Sequence, residues 1–316
     1  MTTHTAASAT GPSRELSLHA SPADRRYRVG VIGAGRVGAV LAAALREAGH
    51  RVVAASGSSA ASRMRLETLL PDLIPQPPAV VARAAELLLL TVPDDALGAL
   101  VEDLTAGGAL RPGQVVLHTS GRHGTGVLAP AAEVGALTVA LHPAMTFTGT
   151  DLDLERLSGC VLGLTAGPRG RAVGERLAAD IGAQVVHVPE EHRSRYHAAL
   201  AHGANHLGTL VVQAMDLLRA TGTPEPAAVL RPLLQAALDN SLAYGDAALT
   251  GPVVRGDAHT VAAHLAALAD AEPGSRAAYR AMAAATAERA ELDGRLSPER
   301  ADAVRELLAG DPAPAP

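Results

Sequence analysis

Three groups of residues in the sequence could do chemistry. The first is Gly33-Ala34-Gly35-Arg36-Val37-Gly38, which directly follows the apolar run Arg28–Ile32 and opens a helical pattern, Val37–Ala48, stopped by Gly49. Gly33 permits a tight turn, Gly35 lets a pyrophosphate approach the backbone, and Gly38 allows helix and strand to pack closely. The helix start, with Arg36 and Val37, then faces the phosphates. A strand before it, a helix after it and a second strand on schedule predict a dinucleotide ligand; a glycine turn used only for packing is the alternative. The second run ends in Ala54-Ala55-Ser56-Gly57-Ser58-Ser59, followed by Arg63 and Arg65. No carboxylate is present there to take a ribose diol. Ser56, Ser58 and Arg63 suit a 2′-phosphate, so NADP(H) is expected over NAD, although Ser58 or Ser59 could equally cap the next helix. Thr91-Val92-Pro93-Asp94-Asp95 lies where open α/β sheets bind ligands. Thr91, Val92 and Pro93 are expected to wrap the cofactor, or Asp94 or Asp95 simply caps a helix over Ala96–Leu104.

The second group is polar and sits at two further run ends, His118-Thr119-Ser120-Gly121 and His142-Pro143-Ala144-Met145-Thr146-Phe147-Thr148-Gly149. A histidine at such an edge can give a proton to a carbonyl or imine as it is reduced. His142 is the stronger candidate and His118 the weaker, and Ser120 is placed to contact the nicotinamide amide or the substrate. The third group follows Pro189. The segment Glu190–Ala220 is the longest helical signal, with Leu200, Ala204, Leu207, Val211, Met215 and Leu218 on one apolar stripe. Beside it run His197, Ala201, Asn205, Gly208 and Val212, small apart from His197 and Asn205, and this stripe is expected to face the cofactor. His202 and His206 have metal-ligand spacing, but no glutamate base and no third ligand accompany them, so no metal is expected. Further on, Thr250-Gly251-Pro252-Val253-Val254-Arg255-Gly256-Asp257 sets a loop. Thr250 and Arg255 there suit an anionic substrate or a subunit contact, and Asp257 is placed to cap the helix His259–Ala269.

The elements that position these groups change texture once. Arg28–Ile32, Arg51–Ala55, Leu87–Val92, Gln114–His118, Leu137–Leu141, Cys160–Thr165 and Gln184–Val188 are short β-branched or apolar runs alternating with helical stretches. That is the pattern of a parallel sheet covered on both faces. The expected architecture is α/β: a Rossmann-type doubly wound parallel sheet over residues 27–188, then an all-helical domain over residues 189–310. Residues 1–26 read as a disordered arm and 311–316 as a disordered tail.

Composition removes other classes. The chain has 316 residues, a net charge of −5 and 2% aromatic residues, which argues against nucleic acid or an anionic membrane as partner. One cysteine, Cys160, excludes a disulfide framework. There is no lysine, so P-loop, Schiff-base and lysine general-acid chemistry are excluded. No secretory signal or apolar span is read, and a cytoplasmic protein is expected.

Taken together, GVIGAGRVG, TVPDDAL, HTSG, LHPAMTFTG, YHAALAHGANHL and LTGPVVRGD resemble the bacterial Rossmann-like proteins carrying domain of unknown function 2520, from about Tyr27 to Ala269. The group is similar in plan to pyrroline-5-carboxylate reductase, ketopantoate reductase and the β-hydroxyacid dehydrogenases. The resemblance implies an NADP-linked oxidoreductase with a cleft between its domains, often a homodimer through the helical part; it supplies no substrate. The β-hydroxyacid dehydrogenases place a catalytic lysine four residues before an asparagine on the long helix. Asn205 fits the asparagine, but Ala201 stands at the lysine position. The expectation is hydride transfer from NADPH to a small carbonyl or imine, with Asn205 orienting the substrate and His142 or His197 giving the proton. The alternatives are a non-catalytic dinucleotide-binding sensor or assembly protein, and a histidine-based hydrolase or metalloenzyme.

Overall fold

The computed structural model describes residues 26–310, so the arm and tail expected at 1–26 and 311–316 fall outside the described residues apart from Arg26. Two compact units are present, the first ending at Leu200 and the second beginning at Ala201. In the first unit the order is β1 (Arg28–Ile32), α1 (Arg36–Glu47), β2 (Arg51–Ser56), α2 (Ala60–Leu69), α3 (Pro78–Ala84), β3 (Leu87–Leu90), α4 (Asp94–Ala106) and β4 (Val115–His118). It continues with α5 (Ala129–Glu133), β5 (Leu137–Pro143), α6 (Leu152–Leu157), β6 (Val161–Ala166), α7 (Pro168–Asp180), β7 (Gln184–His187) and α8 (Arg193–Leu200).

All seven apolar runs are strands of one sheet, in the order β2-β1-β3-β4-β5-β6-β7. Alternate side chains of the inner strands enter opposite cores. Val29, Val31, Leu87, Leu89 and Leu117 pack with Leu66 of α2, Leu157 of α6 and Leu177 of α7. Ile32, Leu88, Leu90 and Val116 pack with Val81 of α3, Leu97 and Val101 of α4 and Ala131 of α5. Both faces are therefore covered, which is why these runs are continuously apolar. The chain reverses its direction of winding between β1 and β3, and the crevice for a ligand lies at their carboxyl ends.

One expectation about the sheet is corrected. The strands are not all parallel: β6 runs antiparallel to β5, pairing His142 with Gly163, and β7 is parallel to β6. A parallel step needs a crossover of a dozen or more residues, usually a substantial helix. Here α6 has only six residues, and the Ala144 amide bonds back to Val161. The link from β5 to β6 thus stays at the ligand edge.

The boundary between the units also differs from the one expected after Val188. Arg193 on α8 is buried among first-unit carbonyls, which ties α8 to the sheet. The helix expected over Glu190–Ala220 is subdivided into a 3₁₀ turn, α8, a wider π-helical turn at Ala201–Asn205, and α9 (His206–Ala220). A π turn interrupts the 3.6-residue period, so spacing alone no longer aligns His197 with Asn205.

The second unit adds α10 (Pro226–Tyr244), α11 (Ala258–Ala267), α12 (Pro273–Leu292) and α13 (Pro298–Ala309). Val261, Leu265, Ala283, Ala287 and Val304 form its core. Asp257 caps α11 as expected, accepting from the Thr260 amide at 3.0 Å. By contrast, α9 buries none of its residues and α10 only Pro226. Among the described residues no helix is long and apolar enough to cross a membrane.

Candidate active site

The glycine loop is held by its neighbours before any ligand arrives. The amides of Gly33 and Ala34 both donate to the Ser56 carbonyl, at 3.0 and 2.9 Å, and Thr91 Oγ1 donates to Gly33 O at 2.6 Å. Gly33 has φ +98°, a conformation that requires glycine. Gly38 is required for a different reason: a Cβ there would stand 2.2 Å from Thr91 Oγ1 and 2.3 Å from Gly33 O. A Cβ on Gly35 would meet nothing closer than 4.0 Å, so that face is open. No side chain caps α1, and its first turn holds no acid. Its leading amides are therefore free to receive an anion. The residues present fit a dinucleotide pyrophosphate.

Around this loop the sequence expectations divide. Ser59, rather than Ser58, caps α2 through the Ser62 amide at 3.0 Å. Arg63 turns back to donate to the Ser58 carbonyl at 2.6 Å, so its guanidinium is partly spent on closing the loop. Arg65 and Arg36 instead converge on Gly149: a Cβ there would lie 2.6 Å from Arg65 Nε and 2.9 Å from Arg36 Cγ. Thr91 and Val92 are half-buried and Pro93 is exposed. Pro93 holds the N-cap position of α4, with Asp94 and Asp95 in its first turn, so neither aspartate is the capping residue. The LHPAMTFTG segment is anchored by Asp153, which sequence reasoning missed. This buried carboxylate accepts from the amides of Thr148 and Gly149, both at 2.7 Å.

At the carboxyl ends of β4 and β5 a second constellation forms. The ring centroids of His142 and His197 are 5.7 Å apart, and the Tyr196 hydroxyl lies 3.3 Å from His142 Nδ1. Tyr196 fits because β6 has Gly163 beneath it, where a Cβ would stand 2.6 Å from the hydroxyl oxygen. Gly121 lies over the other side: a Cβ there would be 3.0 Å from His142 Nε2 and 2.3 Å from His197 Cδ2. Arg193 is 1% exposed. It donates to Gly163 O and His123 O at 3.0 Å each, and to Ser120 O. Three residues earlier, Glu190 accepts from the Thr125 and Gly126 amides at 2.8 and 3.0 Å. Neither Arg193 nor Tyr196 was singled out from sequence; the available signal was a tyrosine beside His197 in a chain with few aromatics.

Electrostatics separate the histidines. Burial pushes His118 down to about 4, and its ring bonds to Gly124 O at 2.8 Å and to the Ser120 amide at 3.1 Å. His118 is thus a neutral strut, not a proton donor. Ser120 is buried, and its Oγ accepts from the His123 amide at 3.1 Å. Burial, reinforced by Arg193 and His197, also pushes His142 down to about 4. Burial raises Tyr196, which keeps its proton. Depressed histidines bind protons more readily when unfolded. Their stabilisation is complete above the unfolded value of 6.5 and is lost as pH falls toward about 4. Between pH 7 and 5 the unfolding free energy should drop by about 2–4 kcal/mol from these two groups. Urea midpoints at the two pH values measure this, and unchanged midpoints would refute it.

The remaining expected site residues lie in the second unit. Asn205 is exposed within the π turn, and Thr250 borders a cavity in that unit, whereas Arg255 is exposed and not part of its wall. His202 and His206 bond to each other, Nδ1 to Nδ1 at 3.0 Å. Among the described residues no group of three metal-ligating side chains gathers anywhere.

A family model for a Rossmann-like domain matches residues 12–143, and one for a domain of unknown function (DUF2520) matches residues 160–286. Similar solved structures include a candidate NADP oxidoreductase from Bacteroides fragilis, 22% identical, with a TM-score of 0.72 over 83% of this chain and 98% of that one. An imine reductase from Myxococcus stipitatus in complex with NADP+ is 18% identical, with a TM-score of 0.58 over 90% of this chain and 100% of that one. A reductive aminase from Aspergillus terreus, in complex with NADPH and ethyl levulinate, is 18% identical, with a TM-score of 0.62 over 89% and 99%. At these identities the likeness establishes the fold. No curated protein matches the chain in sequence.

Proposed function

We propose that the chain is an NADPH-dependent reductase of a small carbonyl or imine compound. The observation that carries this reading is the position of His142, Tyr196 and His197 at the strand ends of the same sheet edge as an open glycine loop. Bound NADPH supplies the hydride. The uncapped start of α1 holds the pyrophosphate, and Ser58 with the converging Arg36 and Arg65 receives the 2′-phosphate. Tyr196 retains its proton and donates it to Nδ1 of neutral His142, which leaves the imidazole proton on Nε2. As negative charge develops on the acceptor oxygen or nitrogen, the Nε2 proton passes to that atom while Nδ1 takes the Tyr196 proton, which solvent then replaces. His197 flanks the same position.

Titration calorimetry with NADPH and NADH tests the cofactor. NADPH should bind about 10-fold or more tightly, the worth of one charge-assisted contact to the extra phosphate. Equal affinity removes the 2′-phosphate site, and no affinity for either removes the reading. Tight NADPH binding without oxidation across ketoacids and cyclic imines would instead mark a nucleotide sensor.

The partner is proposed to be a second copy of the chain. Leu233, Leu238 and Leu242 on α10 and Val212 on α9 are exposed, and Leu242 is 79% exposed. Apolar side chains left exposed around helices that bury almost nothing within their own unit mark an interface. Sedimentation should give twice the chain mass of 32.0 kDa, and Leu233→Glu with Leu238→Glu should give the monomer. A monomeric wild-type chain would contradict this.

A further inference from the structure

Arg193 carries a charge that no ion pair neutralises. It is 1% exposed, and its hydrogen bonds go to backbone carbonyls, those of Gly163 and His123 at 3.0 Å each and that of Ser120. Among the described residues no carboxylate pairs with it. The two acids whose fields reach it are engaged elsewhere: Glu190 accepts from the Thr125 and Gly126 amides, and Asp94 faces Arg122 at 3.7 Å. A buried cation without a counter-ion is costly, so its presence calls for a use. Its surroundings supply one. The guanidinium carbon lies 5.6 Å from the centre of the Tyr196 ring, on the same helix α8. Both side chains dock on Gly163: Arg193 bonds its carbonyl, and Tyr196 occupies the space where a Cβ would stand. Gly163 is the residue that pairs with His142 across β5 and β6. Arg193 also holds Ser120, the neighbour of Gly121, which covers His142 Nε2. One side chain thus fastens both the strand beneath Tyr196 and the loop over His142. Its charge acts on both rings. Burial raises Tyr196, and Arg193 opposes that rise. Burial lowers His142, and Arg193 and His197 of α8 and His118 of β4 add to this, while Asp94 of α4 opposes it. A positive charge in this place favours loss of the phenol proton and disfavours an imidazolium.

Resting on the reductase reading above, we propose that Arg193 is a positioning residue for proton transfer. Its buried charge makes Tyr196, rather than an imidazolium, the source of the proton, and stabilises the oxygen that Tyr196 leaves negative. As hydride from NADPH reaches carbon, the Nε2 proton of His142 goes to the acceptor atom and the Tyr196 proton goes to Nδ1. The phenolate then faces the guanidinium until solvent supplies a proton. The test compares Arg193→Gln, which removes the charge, with Arg193→Lys, which keeps the charge but cannot span three carbonyls. NMR of ring-labelled tyrosine in the full, nucleotide-free chain follows Tyr196, assigned by its absence in Tyr196→Phe. In Arg193→Gln, Tyr196 should be about 10-fold less ionised at a given alkaline pH than in the wild type, and in Arg193→Lys close to the wild type. An arginine that only held the fold would give the opposite sign, because a loosened loop wets the phenol and makes it more acidic. With the best acceptor of the ketoacid and cyclic-imine panel, kcat should fall about 10-fold or more in Arg193→Gln and by clearly less in Arg193→Lys. NADPH affinity should stay within about twofold in both, since neither residue reaches the glycine loop. Unchanged or easier ionisation of Tyr196 in Arg193→Gln, or an equal loss of kcat in the two variants, overturns the proposal. Should Arg193→Gln not fold, Arg193→Lys decides: a folded protein with altered Tyr196 ionisation and no turnover refutes it. The tyrosine titration uses no nucleotide, so its failure is distinct from failure of the reductase reading, which falls instead if His142→Ala keeps full turnover.

Discussion

Gly38→Ala is expected to reduce NADPH affinity by about 10- to 100-fold, the equivalent of 1–3 kcal/mol of overpacking. The added methyl would stand 2.2 Å from Thr91 Oγ1 and 2.3 Å from Gly33 O, and backbone cannot rotate away as a side chain can. Helix α1 must therefore back off β1 and β3. That carries its leading amides away from the phosphates and loosens the Thr91 contact that sets the Gly33 turn. Thr91→Ala should not restore binding, because the Gly33 carbonyl remains in the way. Calorimetry measures the affinity, and far-ultraviolet circular dichroism shows whether the variant is folded. A folded Gly38→Ala protein that binds NADPH like the wild type would mean that the loop is not the nucleotide site.

His142→Ala should lower turnover by about 10²- to 10⁴-fold, the usual contribution of a positioned proton-transfer group. NADPH affinity should stay within about twofold, because the ring lies at the end of β5, away from the glycine loop, and makes no contact with it. The pH profile separates this reading from an imidazolium acid. With His142 pushed down to about 4, it stays neutral through the physiological range. The kcat/KM of the wild type should then show no inflection from this group between pH 6 and 8, and should fall only as the ring protonates on the acid side. Full turnover in His142→Ala would remove the ring from the chemistry.

Much of the fold was legible because burial on both sheet faces leaves a direct trace. Seven short apolar runs separated by helical stretches became seven strands, and the glycine loop sat where its turn and packing requirements put it. What the sequence did not reveal depends on pairs of residues distant along the chain. The antiparallel sense of β6 is set by how its connection travels, not by its own composition. The bond from Arg63 to Ser58 O and the approach of Arg65 to Gly149 are matters of rotamer and tertiary neighbour. The importance of Arg193 follows from three carbonyls contributed by Ser120, His123 and Gly163. No periodicity encodes such a set. His118 and His142 look alike at their strand ends, and only the bonding of the first ring to Gly124 and Ser120 marks it as a strut.

Arg193 and Glu190 together grip one loop with opposite charges, the arginine taking the carbonyls of Ser120 and His123 and the glutamate the amides of Thr125 and Gly126. A segment fastened at both ends in this way is no lid. Any opening and closing that accompanies turnover must be found elsewhere in the molecule. The rings it frames stand preorganised, with no rearrangement to be made when charge develops beside them.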